Sequence, residues 1–225
     1  DVKGEIDSFE YYVGGLPKNP KPPFNYKAPF SPVDVIEEYT RPARMKVNGK
    51  RITRSALSEI ENINFENLGT LEAFNTDGLR SILVTMDHIN NMKEKTLRYP
   101  GHAALMANYR NAGKFDKERI RKTSDELFRA WRLEKNEPEL TIMKIIIKIE
   151  RSKIEYNLYD EFDVKTGFSS MSRTTGFTAT ATVNMVALNL FNECGVFPPE
   201  LVGKKLNCTE YLIDYLFQKN RIPFY

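Results

Sequence analysis

The chain has 225 residues, 41% hydrophobic and 12% aromatic, enough for a sizeable ordered core in one or two domains. Charge is nearly balanced, 33 Lys+Arg against 30 Asp+Glu for a net of +3. Basic runs such as Lys114 to Lys122 are broken by acids, which argues against a nucleic-acid partner. No run of eighteen apolar residues offers a membrane span, and Cys194 and Cys208 make neither a disulfide framework nor a metal cluster.

In chain order, Ile6 to Val13 alternates as a strand, and Gly14-Gly15-Leu16-Pro17 is expected to break it. Lys18 to Pro32 is a loop rich in Pro, Asn and Lys. Ser31-Pro32 opens a short helix over Val33 to Tyr39, with Ser31 at the N-cap and Pro32 at the first helical position. Asn48-Gly49 joins Met45–Val47 to Arg51–Thr53 as a hairpin. Leu68-Gly69 leads into a strand over Leu71 to Phe74. Asp77-Gly78 precedes a helix over Leu79 to Met86, where Leu79, Ile82, Leu83 and Met86 have helical spacing.

Lys93 to Leu97 reads as a strand closed by Arg98-Tyr99-Pro100-Gly101, and helices follow over Ala103 to Ala112 and Lys117 to Leu133. The segments Leu140 to Glu150 and Ile154 to Phe162 read as an antiparallel pair. Gly167 to Gly176 is a small-residue loop. Phe177 to Cys194 is expected to be a long helix, apolar nearly all round and therefore buried, with Gly195 as its C′ residue. A last helix covers Thr209 to Phe217. The class is α+β, a mixed and mostly antiparallel sheet backed by helices with a helical tail.

The familiar catalytic signatures are missing. No GxGxxG follows a strand, and there is no GxxxxGK[ST], GxSxG, HExxH or CxxC. His88 and His102 lack metal-ligand spacing, so no metal is expected. Polar residues concentrate instead in four segments, each open to two readings. Gly14, Gly15 and Leu16 allow a close backbone approach or only a tight strand exit. Asn75, Thr76 and Asp77 stand before a helix, free to bind a carboxylate or merely to cap. Lys95 to His102 places a guanidinium and an imidazole at a strand end. There Arg98 is a carboxylate clamp or the partner of a core acid, and His102 a proton carrier or a helix cap. Arg173, Thr174, Thr175 and Gly176 favour an anion or a cofactor amide, or again only cap.

These segments, together with Glu38 to Arg44 (EYTRPAR), carry a resemblance. YVGGLP (Tyr12 to Pro17), LEAFNTDGLR (Leu71 to Arg80), EKTLRYPGH (Glu94 to His102) and RTTG (Arg173 to Gly176) resemble the C-terminal region of saccharopine dehydrogenase-like proteins, nearest the lysine dehydrogenase-like branch. The resemblance implies a domain related in plan to the C-terminal domain of glyceraldehyde-3-phosphate dehydrogenase, which follows a Rossmann domain absent from this sequence. It implies NAD or NADP as cofactor of the complete enzyme, none bound by this chain alone, and oxidation of an amine carbon to an imine. It also implies an amino-acid substrate, lysine-like or saccharopine-like, and a homodimer; the two cysteines, read as free thiols, suit a cytoplasmic setting.

Carried over by position, Gly14, Gly15, Leu16, Asn75, Thr76 and Asp77 border the substrate and Arg98 and Arg173 hold its carboxylate. His102 or Lys95 handles the proton, and Thr174, Thr175 and Gly176 face the cofactor. Residues 1–170 are the substrate-binding and dimerisation domain; residues 171–225 are helices packing on the nucleotide-binding domain. Saccharopine-type members tend to have Arg-Gly after the Ser-Pro, where Val33-Asp34 stands here, which weakens saccharopine as substrate. Asp1 falls just before the family's inter-domain strand, so the chain is expected to be a fragment. The expected centrepiece is one cleft gathering Asn75–Asp77, Arg98–His102 and Arg173–Gly176. The alternative is a dimerisation module without catalysis.

Overall fold

The computed structural model describes residues 5–28, 30–66, 68–219 and 222. Asp1, on which the inter-domain expectation rests, lies outside them. The first strand, β1 (Ser8–Pro17), runs straight through the glycine pair that was expected to break it. A Cβ on Gly14 would lie 2.8 Å from the Leu97 carbonyl oxygen and 2.9 Å from the Leu97 Cβ. Gly14 therefore serves close strand approach rather than a turn.

Helix α1 (Pro32–Thr40) starts at Pro32 as expected. The hairpin β2 (Ala43–Val47) and β3 (Lys50–Arg54) turns at Asn48 and Gly49, both with positive φ. Strand β4 (Glu61–Phe65) was not expected: its Glu and Asn residues have low strand propensity, and pairing with β5 (Gly69–Asn75) supplies what propensity lacks. The helix expected over Leu79 to Met86 shrinks to α2 (Ile82–Thr85) after a turn, though Leu79 and Leu83 are buried as its spacing required.

Strand β6 (Asn91–Arg98), helices α3 (His102–Asn111) and α4 (Ile120–Ala130), and the pair β7 (Glu139–Ile149) and β8 (Ser152–Glu161) follow the sequence expectation closely. Helix α5 does not. It spans Ser170–Ala187, so the small-residue stretch before Phe177 is its first two turns. Only Ser170, Arg173, Ala181 and Met185 are buried along it, while Val183 and Val186 are exposed. It ends far short of Gly195 because Asn189 takes the left-handed conformation (φ 56) and Leu190 N–H returns to the Met185 carbonyl. The short α6 (Pro199–Val202) and α7 (Leu206–Asp214) complete the tail, which continues as a π turn to Lys219.

The strands form one eight-stranded sheet, ordered β3-β2-β6-β1-β7-β8, with β4 joined through β5 to β6. Only β1 and β6 pair in parallel, so the architecture is the mixed, mostly antiparallel α+β sheet that was expected. One edge of β6 is divided: β5 pairs along Lys95–Arg98, and β2 touches it only at Met92. The chain leaving β5 crosses that division at Thr76 to Arg80, which opens the sheet beside the middle of β6.

Strand alternation then sorts the side chains. One sheet face carries Glu94, Thr96 and Arg98 from β6 beside Tyr11 and Val13 from β1, and α1, α3 and α4 cover part of it through the core of Tyr39, Phe74, Met106 and Trp131. Leu158, Met143, Phe177 and Leu212 pack together where α5 and α7 meet the same face farther along the sheet. The opposite face carries Tyr12, Leu97, Leu140 and Ile142 in a cluster to which no helix contributes among the described residues.

Candidate active-site cleft

Between α1 and the divided edge of β6 lies a cavity of about 370 Å³. Its walls include Tyr11, Asp34, Glu38, Thr76, Asp77, Arg80, Glu94 and Thr96. Two of its carboxylates are already matched to arginine. Asp77 accepts hydrogen bonds from the Arg44 backbone N–H (3.1 Å) and from its guanidinium (2.9 and 2.8 Å). Burial raises the Asp77 carboxyl, but Arg44 more than offsets this and holds it below its ordinary value. Glu38 accepts from Arg98 Nη2 at 2.6 Å, and burial nevertheless leaves its carboxyl raised.

Glu94 is different. Its residue is 3% exposed and forms no ion pair among the described residues. Oε2 accepts from the Thr76 hydroxyl (2.6 Å) and the Gly78 N–H (2.9 Å), while no hydrogen bond among the described residues reaches Oε1. Thr96 Oγ1 lies 2.8 Å from Thr76 Oγ1, so the two hydroxyls form a chain leading to the carboxyl. Burial, reinforced by the negative Glu38, pushes Glu94 up to about 7 despite these hydrogen bonds and the pull of Arg98. The geometry depends on Gly78: a Cβ there would fall 2.5 Å from Glu94 Cδ. Tyr11 closes the floor by donating to the Gly78 carbonyl at 2.5 Å. A carboxyl poised between its two protonation states can hold a cation or exchange a proton at neutral pH.

The expected site residues are only partly gathered here. Thr76 and Asp77 line the cleft. Asn75 is fully buried just behind it, its Nδ2 donating to Ser58 Oγ and Glu59 Oε2. Arg98 is buried against the Tyr26 ring, 4.3 Å from its centroid, and reaches the cleft only through Glu38. Lys95 points to the opposite sheet face, where it pairs with Glu61 at 2.9 Å.

His102 sits in the aromatic core at 1% exposure. Its Nδ1 is 2.8 Å from the Phe24 carbonyl, which can only accept, so Nδ1 carries the proton and Nε2 accepts from the Tyr39 hydroxyl at 2.8 Å. Burial, and next the positive Arg98, lower its pKa to about 3, which keeps it neutral. The cap of α3 comes instead from Glu72, which accepts from Gly101 N–H (3.0 Å) and Ala103 N–H (2.5 Å).

Arg173 lies across the sheet. Its guanidinium is committed to Asp160 on β8 (2.9 and 3.2 Å) and to Asp163. Strand β8 is three places from β6, about 14 Å at ordinary strand spacing. The N-terminus of α5 is occupied by the protein's own groups: Ser170 N–H and hydroxyl donate to Glu139, and Ser169 Oγ accepts from Ser172 N–H. Thr174 Oγ1 returns to the Ser170 carbonyl, while Thr175 and Gly176 stand on the exposed outer face of α5. Gly14 and Gly15 are buried within β1, and Leu16 packs on the face away from the cleft. The one cleft expected to collect all three motifs is thus absent, and the site centres on Glu94 and Tyr11. Glu94 stood in a recognised segment, and Tyr11 lies just before one. The signal that marks them is parallel pairing of β1 and β6, which places Tyr11 opposite Glu94 and cannot be read from either strand alone.

Among the described residues there is no cluster of three His, Cys, Asp or Glu side chains suited to a metal ion, and no helix is long and apolar enough to cross a membrane. The family model described as saccharopine dehydrogenase C-terminal domain matches residues 1–219. Among solved structures, the chain is similar to apo histidine-tagged saccharopine dehydrogenase (L-Glu forming) from Saccharomyces cerevisiae. The TM-score is 0.76 at 16% identity, and the match covers 99% of this chain and 67% of that one.

Proposed function

We propose, from the premise that this chain belongs to the saccharopine dehydrogenase C-terminal domain family, that it forms the amino-acid half of an NAD(P)-dependent oxidoreductase acting on a CH–NH group. The observation that carries this reading is the cleft beside β6, whose wall holds Asp34, Glu38, Asp77 and Glu94 against Arg80 and Arg41. An acidic, partly desolvated cleft suits the ammonium of a lysine-like substrate better than a second carboxylate. Thr76 and Asp77 keep their proposed place at the substrate. Lys95, His102 and Arg173 act at a distance, by holding the sheet, the core and α5 in place.

The nicotinamide cofactor supplies hydride acceptance when bound to the complete enzyme; this domain orients the amine and shields it from water. The exposed face of α5, with Thr175, Gly176, Val183 and Val186, is the proposed seat for the nucleotide-binding domain. That keeps residues 171–225 as the part packing on the nucleotide-binding domain. The test is equilibrium dialysis of the chain against L-lysine, L-glutamate and NAD. The reading expects L-lysine to be retained over L-glutamate, with no retention of NAD. Uptake of L-glutamate in preference to L-lysine would refute it.

The second reading, a dimerisation module, draws on the sheet face where no helix packs among the described residues and where Ile63, Leu68, Ile146 and Tyr159 stay partly exposed. The two readings are compatible, because the cleft opens on the other face. Sedimentation equilibrium decides it: a dimer supports this role for the open face, and a monomer at high concentration removes it.

A further inference from the structure

Five acidic residues border the cleft or its rim, but they are not equivalent. Asp77 is bound by Arg44, Glu38 by Arg98, and Glu37 at the rim by Arg41. Asp34 is exposed at the start of α1, where solvent screens it. Glu94 alone is both buried and without a basic partner among the described residues. Its Oε2 is saturated by Thr76 and Gly78, and its Oε1 is left without a donor in the wall of the cavity. Desolvating a carboxyl without an opposing charge is costly, and a cation placed at Oε1 would repay that cost.

We infer that Glu94 is the specificity-determining residue that receives the substrate's amino group, its Oε1 pairing with the ammonium of an amine-bearing amino acid. This rests on the reading of the cleft given above. Gly78 and Thr76 are positioning residues in this scheme: the first leaves room for the carboxyl, the second fixes which oxygen is free. The groups facing Glu94 are Tyr11 from β1, Asp34, Glu37, Glu38 and Arg41 from α1, Asp77 and Arg80 from the turn after β5, and Arg98 from its own strand. Arg80 and Arg41 stand at the margins with Asp34 and Glu37, so ammonium entry is opposed by two cations and drawn by two acids before it meets Glu94.

Pairing requires the ionised carboxyl, so binding below neutrality must displace a proton to solvent. The experiment is calorimetric titration of the 225-residue protein with L-lysine at pH 6 and pH 8. Wild type should bind about tenfold more tightly at pH 8, as Glu94 passes from mostly protonated to mostly ionised around pH 7. Glu94→Gln should lose at least about tenfold in affinity at pH 8 and show no such dependence. Thr76→Val, which keeps the carboxylate but removes a hydrogen bond that favours its ionised form, should move the midpoint of the pH dependence upward. It also serves if Glu94→Gln fails to fold. Unchanged lysine affinity in Glu94→Gln, or an unmoved midpoint in Thr76→Val, overturns the assignment and leaves the amino-acid reading of the cleft intact. Absence of L-lysine binding by wild type at either pH overturns both.

Discussion

Replacing Glu94 by Gln should make the protein's stability less sensitive to pH, and the size of the effect follows from the site. Burial lifts the folded-state pKa from 4.5 to about 7. Below pH 4.5 the carboxyl is protonated in both folded and unfolded chains and contributes nothing to their difference. Between 4.5 and 7 the folded protein keeps a proton that the unfolded chain has released, so wild type loses stability as the pH rises. Above 7 the loss is complete, about 3 kcal/mol. Between pH 5 and pH 8 the change is about 2–3 kcal/mol.

Glutamine has no such titration. Whatever it costs or gains in hydrogen bonding with Thr76 and Gly78 is the same at both pH values. His102, held near 3, titrates equally in both proteins and cancels in the difference. Urea unfolding of wild type and Glu94→Gln at pH 5 and pH 8 measures this directly. The stability of the variant relative to wild type should rise by about 2–3 kcal/mol between those pH values, at an unchanged m-value. A difference independent of pH would show that Glu94 ionises normally and would remove the physical basis of the site.

Four further substitutions test neighbouring parts. Tyr39→Phe leaves His102 Nε2 as a buried acceptor with no donor and should cost about 1–3 kcal/mol in thermal or urea unfolding; no loss would show that the pair is not formed. Gly78→Ala forces a methyl against the Glu94 carboxyl and should cost about 1–3 kcal/mol, while Ala at exposed Gly176, inside α5, should be neutral or stabilising. Arg98→Leu strips Glu38 of its partner beside the cleft and should cost about 3–5 kcal/mol at pH 8, with the loss shrinking as the pH falls, because burial raises its carboxyl and favours the neutral form. A loss independent of pH would place the effect in packing around Tyr26 instead.

Much of the fold was legible because its signals are local. The Asn48-Gly49 hairpin, the Pro32 helix start and the Ile-rich strand at Leu140 each depend on a few adjacent residues. The failures have a common cause. Gly14-Gly15 reads as a break until Leu97 is known to press against Gly14. Strand β4 reads as loop until β5 is laid beside it. Helix α5 reads as a buried rod because apolar and threonine residues surround it, yet only one stripe meets the sheet and the rest is exposed.

The site shows the same division. The motif segments were visible, but the roles first placed within them followed charge and residue type, which favoured Arg98, His102, Lys95 and Arg173. Each of these already has an internal partner: Glu38, Tyr39, Glu61 and Asp160. Glu94 looked like one acid among many. What distinguishes it is the lack of a partner, a property of the folded arrangement rather than of the residue.

The central claim, that an amine-bearing amino acid enters between α1 and β6, is tested most directly by backbone amide NMR during addition of L-lysine. The largest shifts should fall on Tyr11, Asp77, Gly78, Glu94 and Thr96. Shifts confined to Arg173–Gly176 and the rest of α5, with the β6 amides unmoved, would contradict it.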